Sequence, residues 1–386
     1  MRMRLSVLFA LLLAAFAMPA LAGWEEGVAA FTSKNFQAAA GEFKELVEQN
    51  PEGYRGHYML GLSLQQLGRK EEAMHHLRKA YDLNPNDLNS KLALGRAYYN
   101  LRRYSDVSQL LGSVDPKSLG GAQRAAFYQM RGTARKETGS QGAVSDFSQL
   151  AKLKPNDADV QYLYGTHALA AGQTDTAIAA LRKASQLAPK DSDKGRAYAQ
   201  ALIKKGRTNR DKSAKKAAYM QATKVAETLV GVDPSYDNLM LKVSAELGAG
   251  VYGAAAKTGE QAITKKSNDW LAYYYTGQAY TSDGKYTDAE PRLQKAKELA
   301  AKPDDLKLVQ RQLGFVCEKQ KKYTCAIEYY NFAGDQAGVA RVKKNEETDR
   351  YNKQVEEENA IIKQMEEEAK ALEKELEALE GGGGTP

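Results

Sequence analysis

Cysteine and histidine are scarce in this chain, which has 2 Cys and 4 His among 386 residues. These numbers exclude a multi-cysteine zinc module and a disulfide-dense scaffold. His75 and His76 are adjacent, so on a helix they point about 100° apart and cannot form the i, i+4 ligand pair of a zinc helix. His57 and His167 are isolated in sequence, and we expect all four to be surface or partly buried residues. The sequence therefore predicts no metal site and no cofactor.

Proline is also scarce, with 10 residues, so long helices can run between the breaks. Hydrophobic residues make up 43% of the chain and charged residues 27%, which excludes a wholly disordered protein. Beyond the first 22 residues no apolar run comes near the length of a membrane span. We expect an all-α protein with no membrane span after processing.

The first 22 residues have the pattern of a secretory signal peptide. Arg2 and Arg4 precede an apolar run over residues 5–17, and a small-x-small cleavage site ends at Ala22. The mature chain is expected to begin at Gly23, although an uncleaved anchor is an alternative. We expect a periplasmic protein, with secretion as the alternative, and hence no nucleic-acid partner.

Positive and negative charges are unevenly distributed. Residues 341–380 carry 8 Lys or Arg against 13 Asp or Glu, so the preceding body is basic. Within the body, 11 Lys or Arg lie in residues 190–224 against 3 Asp. This pattern indicates either a solvated basic surface or a loop that docks on an anionic lipid, polymer or acidic tail. The candidate docking loop contains Lys204, Lys205, Arg207, Arg210, Lys212, Lys215 and Lys216.

A repeat of 34 residues organises the chain. Gly27, Gly61 and Gly95 are 34 residues apart, and the same spacing separates Pro51 from Pro85. Each copy has apolar residues at helical spacing, a turn with Gly or a basic residue, and a second helical stretch. The clearest copy contains Leu60, Gly61, Leu64, Gly68, Ala73, Leu77, Ala80 and Pro85. Small residues such as Gly61 and Ala73 are expected where two antiparallel helices approach closely.

This pattern resembles the tetratricopeptide repeat over residues 23–340. The resemblance implies a right-handed superhelical solenoid of about nine helix pairs and a non-catalytic interaction module. No hydrolase, metalloprotease or P-loop motif is present, so we expect no enzyme. The segment 248–253 matches G-x-G-x-x-G, but a helix is predicted before it instead of the strand that a dinucleotide site requires.

Residues 341–380 are predicted to form a charged helix, and residues 381–386 a disordered Gly-rich tail. The helix carries a heptad seam of apolar residues: Ile362, Met365, Ala369, Leu372, Leu376 and Leu379. One interpretation is that the seam packs back on the last repeat and caps the solenoid. The other is a short coiled coil with a partner or with a second copy, giving a weak homo-oligomer.

Cys317 and Cys325 flank the turn of one predicted helical hairpin. They are the only two cysteines, and an oxidising compartment favours their pairing. A disulfide is expected, with two buried free thiols as the alternative.

The concave face of the solenoid, lined by the first helix of each unit, is the expected ligand site. Its candidate residues are aromatic, amide-bearing and cationic, although several of the tyrosines could instead pack between repeats. They are Arg55, Tyr58, Gln65, Leu92, Arg96, Tyr99, Gln129, Lys136, Tyr162, Thr166, Arg196, Gln200, Tyr274 and Gln278. Such a lining suits an extended chain that bears hydrogen-bond acceptors. We expect a scaffold for a peptide or protein partner in envelope assembly, with a polysaccharide-binding or export-complex protein as the alternative.

Overall fold

The computed structural model describes residues 23–381, with side chains through Glu377. The expected signal peptide, residues 1–22, and residues 382–386 of the Gly-rich tail lie outside the described residues. Clustering of contacts divides the chain into two compact units, the first ending at Lys194 and the second beginning at Gly195. Every regular element in the described part is helical, as the sequence predicts.

The first unit contains five antiparallel helix pairs. Its helices are α1 over residues 23–32, α2 Phe36–Gln49, α3 Tyr54–Gln66, α4 Lys70–Leu83, α5 Leu88–Asn100, α6 Tyr104–Gly112, α7 Gly121–Glu137, α8 Ala143–Leu153, α9 Ala158–Ala170 and α10 Thr174–Leu187. A 3-10 turn, Pro116–Ser118, precedes α7. Each successive pair of helices from α2 to α10 is in contact, and the first helices α3, α5 and α7 also contact one another in order.

The second unit repeats the arrangement and ends in a long single helix. Its helices are α11 Ser192–Thr208, which begins just before the boundary, α12 Lys212–Val232, α13 Tyr236–Ala249, α14 Tyr252–Lys265, α15 Trp270–Ser282, α16 Tyr286–Leu299, α17 Pro303–Lys319, α18 Tyr323–Ala333 and α19 Gln336–Gly381. The described residues therefore hold nine helix pairs followed by α19, in agreement with the number expected from the 34-residue period.

Local sequence sets the helix starts. The Asp87 carboxylate accepts a hydrogen bond from the backbone N–H of Ser90 at 2.8 Å, and Asp157 caps α9 by accepting from Val160 N–H at 3.1 Å. A side-chain oxygen at this position satisfies an N–H that has no partner within the helix. Each of these aspartates lies two residues after a proline, Pro85 or Pro155, and fixes where the first helix of its repeat begins.

The cores follow the helix pairs. In the first unit, Leu77, Leu94, Leu111 and Phe127 are fully buried in one cluster that runs from α4 to α7. Gly61 lies against Leu77: a Cβ added there would lie 2.6 Å from Leu77 Cγ. The expected close approach of the two helices at Gly61 is thus present, and it leaves no room for a side chain.

The boundary expected at Ala340 falls inside α19. That helix begins at Gln336, and its first turns bury Val339 and Val342 against α18. The beginning of the predicted charged helix is therefore part of the packed repeat body.

Candidate functional site

A groove lies where the first helices α3, α5 and α7 meet in the first unit. It encloses a cavity of about 140 Å³. Its lining residues come from these three helices: Tyr58, Leu62, Gln65, Asn89, Leu92, Ala93, Arg96, Gln123, Ala126 and Met130. None of these residues is acidic, and we refer to this set as the α3–α5–α7 groove.

The lining follows the sequence period. Tyr58, Leu92 and Ala126 are 34 residues apart, so they occupy the same position in three successive first helices. Leu62, Arg96 and Met130 form a second row with the same spacing. Because equivalent positions of stacked repeats face the same side, the two rows run side by side along the groove.

One buried hydrogen-bond donor in this groove lacks a partner. Gln65 Nε2 is buried and makes no hydrogen bond within the described part of the chain. Leaving such a group unpaired costs about 1–3 kcal/mol, so a ligand acceptor that reaches it is favoured. The Gln65 amide is therefore the best-defined contact point for a bound molecule.

Two amides and a guanidinium supply the exposed polar part. Gln123 Nε2 donates to Asn89 Oδ1 at 3.1 Å, which joins α7 to α5 and leaves the Asn89 N–H groups free to donate. Arg96 is exposed, and it forms no ion pair with any residue between 23 and 377. A guanidinium without a carboxylate partner favours an acceptor or anionic group on the ligand.

The Tyr58 hydroxyl is also a donor. Burial raises the pKa of Tyr58 above its ordinary value, with Asp87 acting in the same direction and Arg96 against it. The hydroxyl therefore stays protonated at neutral pH. Together with Gln65, Asn89 and Arg96 it gives a groove of donors over an apolar floor, which matches the carbonyl groups of an extended chain.

The structure brings together four of the predicted ligand residues, Tyr58, Gln65, Leu92 and Arg96. Sequence reasoning missed Asn89 and Gln123, although both were identifiable: they are one and two periods after Arg55. Arg55 itself lies at a different cavity beside Trp24, and its Nε donates to the Tyr54 hydroxyl at 3.2 Å.

The other candidates of the first unit do not line this groove. Tyr99 is half-buried with its ring edge-on to Tyr104, and Lys194 lies 5.6 Å above the ring of Tyr162. The Thr166 hydroxyl donates to the carbonyl of Leu163. Two further candidates, Gln129 and Lys136, are exposed. Part of the expected concave face is thus occupied by contacts within the protein.

In the second unit the prediction for Tyr274 is wrong. Its side chain is only 7% exposed and packs in the core with Leu293 and Val309, so it cannot line a ligand face. The helix α15 buries this ring because α16 and α17 both cover its side of the helix.

Three candidates of the second unit lie apart from one another in their contacts. Gln278 lines a separate cavity of about 450 Å³ with Tyr252 and Gln312. Arg196 forms an ion pair with Asp237 at 3.9 Å, and Gln200 is exposed on α11.

The basic docking loop is not a loop, which corrects the prediction. Helix α11 continues to Thr208 and α12 begins at Lys212, so only residues 209–211 connect them. Asp211 caps α12 by accepting from Ala214 N–H at 2.7 Å. Lys and Arg favour helix, and no Gly or Pro lies between Arg207 and the cap, so the inserted residues lengthen both helices. The seven basic residues lie at the tip of this hairpin.

The predicted seam on α19 is solvent-exposed along its described length. Ile362, Met365, Leu372 and Leu376 are each more than half exposed, and Ala369 is exposed as well. The alternative in which the seam packs back on the last repeat is therefore wrong for residues 356–377. The side chain of Leu379 lies outside those described.

Cys317 and Cys325 are joined by a disulfide, with their Cα atoms 5.9 Å apart. The bond links α17 to α18. Cys317 is fully buried beside Tyr330 and Val342, so the pair forms part of the packed end of the second unit.

The two histidines that are isolated in sequence are not isolated in space. His57 is buried, and its Nδ1 lies 3.1 Å from His76 Nδ1, while His167 stacks on Phe147 at 4.5 Å. Within residues 23–377 no group of three or more His, Cys, Asp or Glu could hold a metal ion. The G-x-G-x-x-G segment forms the end of α13, a turn at Gly250 and the start of α14, with no strand before it.

No helix of residues 23–381 is both long enough and apolar enough to cross a membrane. A comparison with curated protein sequences gives no significant match.

Solved structures with similar folds include MamA and two proteins described by their tetratricopeptide repeats. MamA from Desulfovibrio magneticus RS-1 is 18% identical, with a TM-score of 0.39 over 45% of this chain and 94% of that one. TTC0263, a thermophilic TPR protein of Thermus thermophilus, is 16% identical, with a TM-score of 0.32 over 68% of this chain and 99% of that one. The P58(IPK) TPR domain is 14% identical, with a TM-score of 0.29 over 84% of this chain and 97% of that one.

The sequence itself matches a family model. The model described as tetratricopeptide repeat matches residues 24–88, 58–106, 134–192 and 240–305, more than half of the chain. These matches coincide with helix pairs whose 34-residue period, turn positions and close approach at Gly61 are described above. The chain therefore belongs to the tetratricopeptide repeat family, whose members generally act as protein-interaction scaffolds.

Proposed function

We propose that this protein is a non-catalytic periplasmic scaffold that binds an extended peptide segment of a partner protein in the α3–α5–α7 groove, in the course of envelope assembly. The observation that carries the proposal is the buried Gln65 Nε2 without a partner in that groove. A peptide backbone offers carbonyl acceptors at regular intervals, which suits a row of donors on successive repeats.

The composition of the groove supports a peptide. Leu62, Leu92 and Met130 give an apolar floor for small side chains, while Arg96 and Asn89 donate from the rim. The expected signal peptide supports the periplasmic location. A polysaccharide, which also carries acceptor oxygens, is the outcome that the binding test must separate from this proposal.

The test is selection of linear peptides from a random library of about 12 residues on the mature protein, followed by affinity measurement of the selected peptides. Arg96→Ala combined with Asn89→Ala should weaken binding at least about tenfold, since each charged or amide hydrogen bond contributes about 1 kcal/mol or more. Arg182→Ala, an exposed arginine on α10, is the matched control and should bind normally.

A second variant separates binding from folding. Gln65→Met keeps the length of the side chain and removes the unpaired donor, so the free energy of unfolding should stay equal or rise while peptide affinity falls. Selection of no peptide, together with binding of a neutral oligosaccharide that Gln65→Met abolishes, would overturn the peptide proposal in favour of a sugar chain.

A further inference from the structure

The distal part of α19 is free of the repeat body. Asp349 forms the last ion pair between this helix and α17–α18, with Lys321 Nζ at 2.8 Å. Every residue from 356 to 377 is exposed. At about 1.5 Å per residue, these positions form a rod of about 33 Å that presents all its faces to solvent.

An apolar stripe runs along this rod. Ile362, Met365, Leu372 and Leu376 are 54%, 63%, 65% and 59% exposed. Their heptad spacing places them on one side of the helix, at positions a and d. Large apolar side chains in a continuous exposed stripe are typical of an interaction surface.

The positions that flank the stripe are acidic. With Ile362 at position a, the neighbouring e and g positions are Glu366, Glu368, Glu373 and Glu375, all exposed. The lysines of the same segment, Lys363, Lys370 and Lys374, fall at the outer positions b and f. The segregation is complete over these two heptads: one charge sign borders the apolar stripe.

This arrangement opposes pairing with a second copy. In a parallel coiled coil the g positions face the e positions of the partner, and in an antiparallel one e faces e and g faces g. Either orientation of two identical helices would place Glu against Glu beside a seam of about three heptads, which is already marginal in length. The weak homo-oligomer expected from the seam alone is therefore disfavoured by the charges next to it.

We propose that residues 356–377 of α19 are a docking surface for an amphipathic helix of a different protein, one that carries Lys or Arg at its own e and g positions. Its apolar seam covers Ile362, Met365, Leu372 and Leu376, and its basic residues pair with the four flanking glutamates. An anionic membrane surface would be repelled by the same glutamates. This surface is separate from the α3–α5–α7 groove and does not depend on the proposed function of that groove.

The test uses the full mature chain and a synthetic peptide of about four heptads with Ile at a, Leu at d and Lys at every e and g position. Fluorescence anisotropy at about 0.15 M NaCl should show saturable binding that weakens in about 1 M NaCl. Two control peptides, one with Glu at e and g and one with the basic sequence scrambled, should bind at least about tenfold more weakly, as expected for several flanking pairs of a few tenths of a kcal/mol each.

Chain variants complete the test. Replacing Glu366, Glu368, Glu373 and Glu375 together by Lys should reverse the preference, so that the acidic peptide binds and the basic one does not. The groove variant Arg96→Ala should bind the basic peptide normally, which keeps failure of this proposal distinct from failure of the groove.

Two results would overturn the proposal. One is equal binding of the scrambled and heptad peptides, which would reduce the surface to unspecific charge. The other is a dimer of the unmodified chain in sedimentation velocity across a dilution series from about 20 μM, abolished by Leu372→Glu with Leu376→Glu, which would make a second copy the occupant.

Discussion

Single residues in the turns set the geometry of the helix pairs. In eight of the nine described pairs, the turn between the two helices contains a residue with positive φ. Gly occupies most of these turns, but Lys34, Arg102 and Lys321 have φ values of 64°, 56° and 58°. Left-handed backbone is accessible to Gly without cost and strained for other residues. The three basic residues therefore store local strain.

Arg102→Gly is predicted to stabilise the protein. Relief of the left-handed strain is worth about 1–2 kcal/mol and the extra entropy of the unfolded glycine offsets part of it, so a net gain of about 0.5 kcal/mol is expected in urea unfolding. The reciprocal change Gly68→Ala, at φ 77° with no neighbouring atom in the way of a Cβ, should destabilise. A loss of stability in Arg102→Gly would contradict this account.

The His57–His76 pair gives the α3–α4 helix pair a dependence on pH. Burial, assisted by the charges of the neighbouring histidines, lowers the pKa of His76 to about 4, and burial also lowers the pKa of His57. His57 Nε2 donates to the Pro51 carbonyl at 3.0 Å, so its Nδ1 is the acceptor for His76 Nδ1–H. Protonation of His57 at Nδ1 removes that acceptor.

The sign of the effect follows from the lowered pKa values. The unfolded histidines bind protons at about pH 6.5 while His76 in the folded pair resists protonation until about pH 4, so stability is complete above pH 6.5 and falls as the pH decreases through this window. Between pH 6.5 and 4, His76→Gln should lose about 1 kcal/mol less stability than the unmodified protein does. Equal slopes in thermal unfolding, with exposed His75→Gln as the control, would show that the pair does not titrate as described.

Among the elements, α19 combines two roles within one helix. Its first turns complete the last repeat: Arg341 forms a bidentate pair with Glu318 at 2.9 and 3.0 Å, and Val342 is fully buried. Its distal part, from residue 356 onward, is exposed as far as side chains are described. A repeat array needs a terminal element to cover its last apolar face, and the start of α19 does so.

Truncation at two points separates the roles. A chain ending at Gln354 should keep its melting temperature and lose binding to the basic heptad peptide. A chain ending at Ala340 should be destabilised by about 2–4 kcal/mol, because Glu318 loses its cationic partner and the site of Val342 is emptied. Equal melting temperatures for the two truncations would show that α19 does not cap the last repeat.

For the whole molecule, export and the disulfide are coupled expectations. The periplasm is oxidising, so protein recovered from it should begin at Gly23 by mass spectrometry and show no free thiol when it is denatured without reductant. Cys317→Ser with Cys325→Ser should cost about 2–3 kcal/mol on the loop-entropy account for so short a loop. Two free thiols in the exported protein, or retention of residues 1–22, would contradict the expectation.

The sequence by itself determined the repeat. The 34-residue spacing of Gly27, Gly61 and Gly95, with apolar residues at helical intervals, is a local signal, and it was enough to predict an all-α array of about nine pairs. It also located four residues of the groove, because rows of equivalent positions follow directly from the period.

Only the tertiary structure decided which side chains are covered. Tyr274 and Tyr99 were expected on the same face as the other candidate ligand residues, but α16 and α17 bury one and Tyr104 packs on the other. Burial depends on neighbours that single-helix periodicity does not identify, so the sequence pattern could not assign it. The pairing of His57 with His76 is invisible in sequence for the same reason.

The two charged segments divide between the levels in the opposite way. The heptad seam and its glutamates are fixed by sequence, but only the structure shows that residues 356–377 stand clear of the repeats, because packing against the body was an equal physical option for an apolar stripe. The basic residues between Lys204 and Lys216 were expected in a loop, and they extend two helices because the packing of α12 against its neighbour supports helix formation that local spacing left undecided.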